Sequence, residues 1–317
     1  MTILDQARIQ VDLFIKKNPN GIIIIWWATA TWKSSLSVEL SQFFNFEIIS
    51  ADSRQIYKYM DIWTDKVSQE IMQRIKHYQI DILDPDQFYT SGARRKDTIN
   101  YIHQIQKNWN IPVIVWWTGL YIDTIYKNFD MPEVEPDFDF RDKLMDLEKV
   151  NPWILYQNLS KIDPVESQKI NKNSLRYVIR ALEIFKKTWK TKTELALQKQ
   201  PDFPILMITL WRERNDTNKK IDNRIEEMLK IWLIDEVIFL LDKGYDRTLQ
   251  SMQGIWYKEI VWYLYNEYDL SVAVDLLKIN THHYAKRQRT WFRRYIRDAE
   301  ISQFPNVVYL NYNLSNS

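Results

Sequence analysis

Over the first 128 residues, short apolar runs alternate with longer stretches of helical spacing. Ile22–Ile25, Glu47–Ser50 and Pro112–Val115 are β-branched runs too short for helices, and Ile80–Leu83 is a further strand candidate. Between them, residues 3–17, Ser34–Phe44 and Asp97–Lys107 space their apolar residues as helices do. Strands that alternate with helices predict a parallel sheet, hence an α/β fold.

The pattern changes at Asp130–Asp137, whose prolines and acids read as a linker. From Phe140 to Thr188 only helical spacing is visible. A strand returns at Pro204–Leu210, and Ile221, Ile225, Met228, Leu229 and Trp232 mark an amphipathic helix after it. The expected organisation is a core from residues 1–128 and 195–317, with a helical insertion over 129–194.

Composition narrows the chemistry. The chain has 317 residues, an ordinary apolar share of 45%, and a net charge of only +2. It has no cysteine, which excludes disulfides, thiolate metal sites and cysteine nucleophiles and fits a reducing compartment. No apolar run reaches the roughly 20 residues that span a bilayer, and the first twenty residues lack a secretory core. A cytoplasmic protein is expected, with no membrane partner. Charge is local: His282 to Arg297 carries Lys286, Arg287, Arg289, Arg293, Arg294 and Arg297 and no acid.

The segment after the first strand is Trp27-Ala28-Thr29-Ala30-Thr31-Trp32-Lys33-Ser34. With glycine at 27 and 32 it would be the phosphate-cradling loop G-x-x-x-x-G-K-S, whose backbone N–H groups, lysine and serine hold phosphate and Mg²⁺. Strand, spacing, lysine and serine are in place. The chain has five glycines and fourteen tryptophans, against a usual glycine share of about 7%. Trp32, Trp116, Trp117, Trp189 and Trp232 fall where turns need the positive φ that glycine supplies. UGA means stop, tryptophan or glycine in different genetic codes, so glycine codons rendered as tryptophan would produce this pattern.

Further motifs follow in order: Ala51–Tyr57 (ADSRQIY), His77–Asp81 (HYQID), Thr118–Tyr121 (TGLY), Arg176–Glu183 (RYVIRALE), Ser251–Glu259 (SMQGIWYKE) and Tyr284–Arg293 (YAKRQRTWFR). With the loop, they make the chain resemble the tRNA dimethylallyltransferase family over about positions 20 to 295. The family would have glycine at 27, 32, 63, 116, 117, 189, 232 and 256, all tryptophan here, whereas Trp291 matches a true family tryptophan. Ala28 stands for a usual proline, Tyr177 for an arginine and His282 for an arginine.

The resemblance implies a P-loop NTPase-like parallel sheet flanked by helices, with an inserted helical domain that grips the tRNA anticodon stem-loop. It implies transfer of a dimethylallyl group from dimethylallyl diphosphate to N6 of adenosine 37, with release of diphosphate. Trp27, Ala28, Thr29, Ala30, Thr31, Trp32, Lys33, Ser34 and Arg214 would bind the diphosphate, and Ser34 would ligate Mg²⁺. Asp52 would take the N6 proton, and Thr118 would sit where base and prenyl group meet. Asp52, Ser53, Arg54, Gln55 and Thr118 would contact the flipped base and its neighbours. Arg141, Arg176 and Arg180 would bind the stem. A monomer is expected.

Blander readings stand beside these. Asp52 also reads as a helix cap, Arg176 and Arg180 as a solvated helix face, and the basic segment as a surface helix over core aromatics. His77 before a strand reads as structural. Two other functions use the same residues: a P-loop small-molecule transferase or kinase acting on free adenine nucleotides, or a catalytically dead RNA-binding relative if the tryptophans are genuine.

Overall fold

The computed structural model describes residues 2–26, 33–116, 119–197, 199–230, 232–300 and 307–313. The chain divides into two compact units, one of residues 1–88, 98–122 and 201–317, the other of residues 89–97 and 123–200.

The first unit is built on a six-stranded sheet: β1 (Ile22–Trp26), β2 (Phe46–Ser50), β3 (His77–Tyr78), β4 (Ile111–Trp116), β5 (Ile205–Trp211) and β6 (Val307–Asn313). The order is β3-β2-β4-β1-β5-β6 and every pairing is parallel. All residues of β1 and β2 are buried, which explains why β1 reads as a continuous apolar run rather than as an alternating one; β2 also buries Glu47, which accepts the Tyr78 hydroxyl at 2.6 Å. Parallel pairing also puts the carboxyl ends of β1, β2 and β4 on one edge, where ligands of open α/β sheets bind.

Flanking helices start where local chemistry satisfies their first N–H groups. Thr2 and Asp5 form a reciprocal capping box at the helix Ile3–Lys17. The helix expected from Asp97 starts earlier, at Ser91, because the Thr90 hydroxyl accepts the Ala93 N–H at 3.1 Å. The helix expected over Ser34–Phe44 runs from Lys33 to Leu40.

The third strand lies at His77–Tyr78, not at Ile80–Leu83. Gln79 and Asp81 take φ of 60° and 54°, which breaks any extended run through that tetrapeptide. Leu83 keeps only an isolated bridge to Tyr57. The sixth strand, Val307–Asn313, has no counterpart in the sequence reading. Among the described residues no helix is long and apolar enough to cross a membrane.

In the second unit the helices Phe138–Val150, Ile154–Ile162, Pro164–Lys169 and Leu175–Thr188 enclose a small core. Leu155, Leu159, Val178, Ile179, Ala181 and Leu182 form it. Asp137 and Asp163 cap two of these helices through their carboxylates.

Candidate active site

Asp52 lies just past the end of β2, buried at 7% exposure. Its Oδ1 accepts the Arg54 N–H at 2.6 Å and the Gln55 N–H at 3.4 Å, a side-chain turn that fixes the carboxylate against its own loop. The Ala51 N–H donates to Val115 O of β4 at 3.0 Å, which anchors the start of the loop to the sheet. A cleft of about 120 Å³ opens at Asp52. Ser53, Arg54, Trp63, Thr64, Trp256 and Tyr284 share its walls.

The opposing wall, residues 61–65, is held from several sides. Gln55 Nε2 donates to the Thr64 and Asp65 carbonyls at 2.9 and 3.2 Å, and its Oε1 accepts the Ser50 hydroxyl at 2.6 Å. The Gln55 amide is therefore bonded on both ends within the protein. Glu236 accepts the backbone N–H groups of Asp61 and Ile62 at 2.8 and 2.9 Å and the Tyr257 hydroxyl at 2.7 Å. Burial raises the Glu236 pKa despite those donors. Arg224 pairs with Asp65 at 3.3 Å. Burial lowers the Arg224 pKa, while Asp65 and then Asp52 favour its charge. A cation thus lies within electrostatic reach of the Asp52 carboxylate.

Arg54 Nη1 donates to the Gln250 and Ser251 carbonyls at 2.7 and 3.2 Å, so it ties the segment 250–254 to the Asp52 loop. Gly254 packs closely here, since a Cβ there would stand 3.1 Å from the Arg54 guanidinium carbon.

The long helix Leu270–Glu300 closes this unit. Phe292 and Tyr295 are fully buried and meet Trp26 of β1 at ring-centroid distances of 4.5 and 5.1 Å. They are core residues, the blander of the two readings of this segment, while Tyr284 lines the cleft. Trp291 lies against Gly119, where an added Cβ would come within 2.2 Å of the indole nitrogen. Lys286, Arg287, Arg293 and Arg297 are exposed. Burial lowers the Arg289 pKa, and the neighbouring charges of Arg214 and Arg293 lower it further. Arg214, exposed at the start of the helix Arg214–Lys230, therefore belongs to a cluster of cations.

Trp27 to Trp32 and Thr118 lie outside the described residues, as do the side chains of Lys33 and Ser34. The backbone at 33 and 34 begins the helix Lys33–Leu40 that follows β1. In the helical unit, Arg141 makes a two-pronged pair with Glu183, both bonds at 2.8 Å. Arg180 also donates to Glu183, and to Val134 O at 2.9 Å. Arg176 is exposed and makes no ion pair among the described residues. His77 Nδ1 lies 2.6 Å from Ile75 O, and burial lowers its pKa.

The residues that sequence reasoning missed are Arg224, Glu236 and Tyr257. Arg224 sits on the amphipathic helix already recognised. Tyr257 falls inside a motif but carried no role there. Glu236 lies outside every motif, and nothing local marked it.

The chain is similar to known proteins. The family model described as IPP transferase matches residues 55–295. The chain is 42% identical over 272 residues to the tRNA dimethylallyltransferase of Thermotoga neapolitana, covering 86% of this chain and 89% of that one. It is 42% identical over 287 residues to the enzyme of the same name from Halothermothrix orenii, covering 89% and 87%. The full-length tRNA isopentenylpyrophosphate transferase of Bacillus halodurans superposes with a TM-score of 0.65 at 34% identity, over 93% of this chain and 90% of that one. A eukaryotic dimethylallyltransferase acting on tRNA superposes with a TM-score of 0.77 at 27% identity, over 93% and 75%. With a family model covering most of its length and relatives this similar, the chain belongs to the IPP transferase family.

Proposed function

We propose that this protein transfers a dimethylallyl group from dimethylallyl diphosphate to N6 of adenosine 37 in tRNA anticodon loops. The amine attacks C1 of the donor, a C–N bond forms, the C1–oxygen bond breaks, and diphosphate leaves. The observation that carries this reading is Asp52: a buried carboxylate at the carboxyl edge of the sheet, fixed by its own loop and facing a cleft. A positioned base of this kind contributes about 10²–10⁴-fold. Asp52 takes the N6 proton, with the Arg224 cation within electrostatic reach of its carboxylate.

The segment from 27 to 34 and Arg214 bind the diphosphate, with backbone N–H groups at the start of the helix Lys33–Leu40 aimed at its oxygens. Among the described residues no cluster of three His, Cys, Asp or Glu could hold a metal. Mg²⁺ takes few protein ligands and keeps waters and substrate phosphates. Ser34 would hold it there, and it would supply charge neutralisation at the leaving group. Thr118 meets the flipped base. Ser53 and Arg54 border the space it enters, and Gln55 shapes that space by holding residues 64 and 65. Arg141, Arg176 and Arg180 of the helical unit contact the anticodon stem, with Arg176 the cation left for phosphate. The protein acts as a monomer in the cytoplasm.

Labelled dimethylallyl diphosphate offered with tRNA and with AMP tests the reading. Label should appear on tRNA at adenosine 37. Label on AMP alone would overturn the tRNA assignment in favour of a small-molecule transferase.

A further inference from the structure

Among the described residues, eleven non-glycine residues have positive φ. Four of them are Asn or Asp (Asp65, Asp81, Asn128 and Asn266), which tolerate that region. Five are tryptophan: Trp109 at 60°, Trp153 at 74°, Trp189 at 56°, Trp232 at 74° and Trp256 at 96°. A bulky residue with positive φ is a genuine outlier, and here one residue type supplies nearly half of the cases.

Their positions are those of glycine. Trp189 ends the helix Leu175–Thr188 in the left-handed conformation, with its N–H donating to Phe185 O at 2.8 Å. Trp109 follows the helix Ser91–Lys107 and donates to Gln106 O at 3.0 Å. Trp153 and Trp232 precede helices in the same conformation. Trp256 pairs its φ with a ψ of −56°, outside even the left-handed helical region. Burial of the side chain does not offset this strain at three of the sites, since Trp109 is 93% exposed, Trp189 81% and Trp232 70%.

Packing adds Trp63. Its ring centroid lies 3.6 Å from that of Trp256 at a 48° tilt, closer than the roughly 4.5–7 Å of favourable aromatic pairs. Trp26, Trp262 and Trp291 differ in backbone. They lie in a strand or in helices, without positive φ, and Trp26 makes ordinary ring contacts in the core; Trp116 in β4 and Trp211 in β5 share that extended backbone, so the positive φ expected at Trp116 is not found.

We propose that the chain made in the native cell carries glycine at positions 63, 109, 153, 189, 232 and 256, and tryptophan at 26, 262 and 291. The assignment at 109 and 153 comes from backbone conformation alone. It is independent of family resemblance and of the proposed activity.

Peptide sequencing by mass spectrometry of protein purified from its native host tests this. Glycine is expected at all six positions and tryptophan at the other three. Intact tryptophan at 109 and 153 would overturn it. A second measurement uses recombinant protein that carries tryptophan throughout. Trp109→Gly and Trp232→Gly should each raise the folding equilibrium constant about 5- to 30-fold, as expected when a Cβ is relieved from positive φ. Trp109→Ala and Trp232→Ala should gain little of this, because the Cβ and not the ring is at fault. Glycine variants no more stable than the alanine variants at both sites would refute the backbone assignment.

Discussion

Glu183 in the helical unit and Asp52 in the sheet unit are both buried acids with arginine nearby, and they are built for opposite ends. Glu183 is fully buried, and its oxygens take up Arg141, Arg180 and the Asp137 N–H. Burial pushes its pKa up, but the bonds from Arg141, the Asp137 N–H and Arg180 outweigh burial and hold it below the ordinary value. Such a carboxylate is saturated with donors and does structural work. Asp52 is nearly as buried, yet the hydrogen bonds described above reach it from its own loop, Arg224 acts on it by charge, and a cleft lies in front of it. A buried acid with a cation in reach marks a functional site only when open space adjoins it.

The comparison breaks most sharply at Asp52. Asp52→Asn keeps an oxygen for the Arg54 N–H, so the loop should persist while turnover falls about 10²–10⁴-fold. Single-turnover prenyl transfer alongside tRNA filter binding checks this, and a near-normal rate would make Asp52 no more than a turn residue. Next in size, Glu183→Ala should cost about 1–3 kcal/mol of stability, since it strands several donors. Denaturant unfolding reads that loss, and the rate per folded molecule should hold.

Acid sharpens the contrast further. Glu183 has a folded-state pKa below its ordinary 4.5, so its contribution is fully present above that pH. It is lost as pH falls through the depressed folded-state value. Unfolding midpoints should therefore drop more steeply below about pH 4.5 in the parent than in Glu183→Gln. The smallest effect belongs to Arg176→Ala. It should weaken tRNA binding uniformly and reduce the salt slope of affinity by about one, with the chemical step unchanged.

Much of this was legible beforehand. β1, β4 and β5 were readable because strands buried on both faces are written as largely apolar runs, and β2 because its β-branched pair Ile48-Ile49 sits in a run too short for a helix. The motif at Asp52 was readable because its residues are contiguous. What escaped were features set by distant parts of the chain. Glu236 and Tyr257 meet, and Glu236 reaches residues 61 and 62, only after folding. The engagement of Arg141 by Glu183, and of Arg54 by the carbonyls at 250 and 251, cannot be seen in residue spacing, whereas Arg180 and Glu183 stand three apart on one helix. The third strand was misplaced because Gln79 and Asp81, neither of them glycine, adopt positive φ.

The two indoles at 63 and 256 have a practical consequence. They line the same cleft as Asp52, with ring centroids 3.6 Å apart. A gene synthesised to encode tryptophan at those codons would deliver an enzyme whose substrate space is narrowed by two large rings. The rate measured on such material would belong to the narrowed form and not to the catalyst that the organism makes.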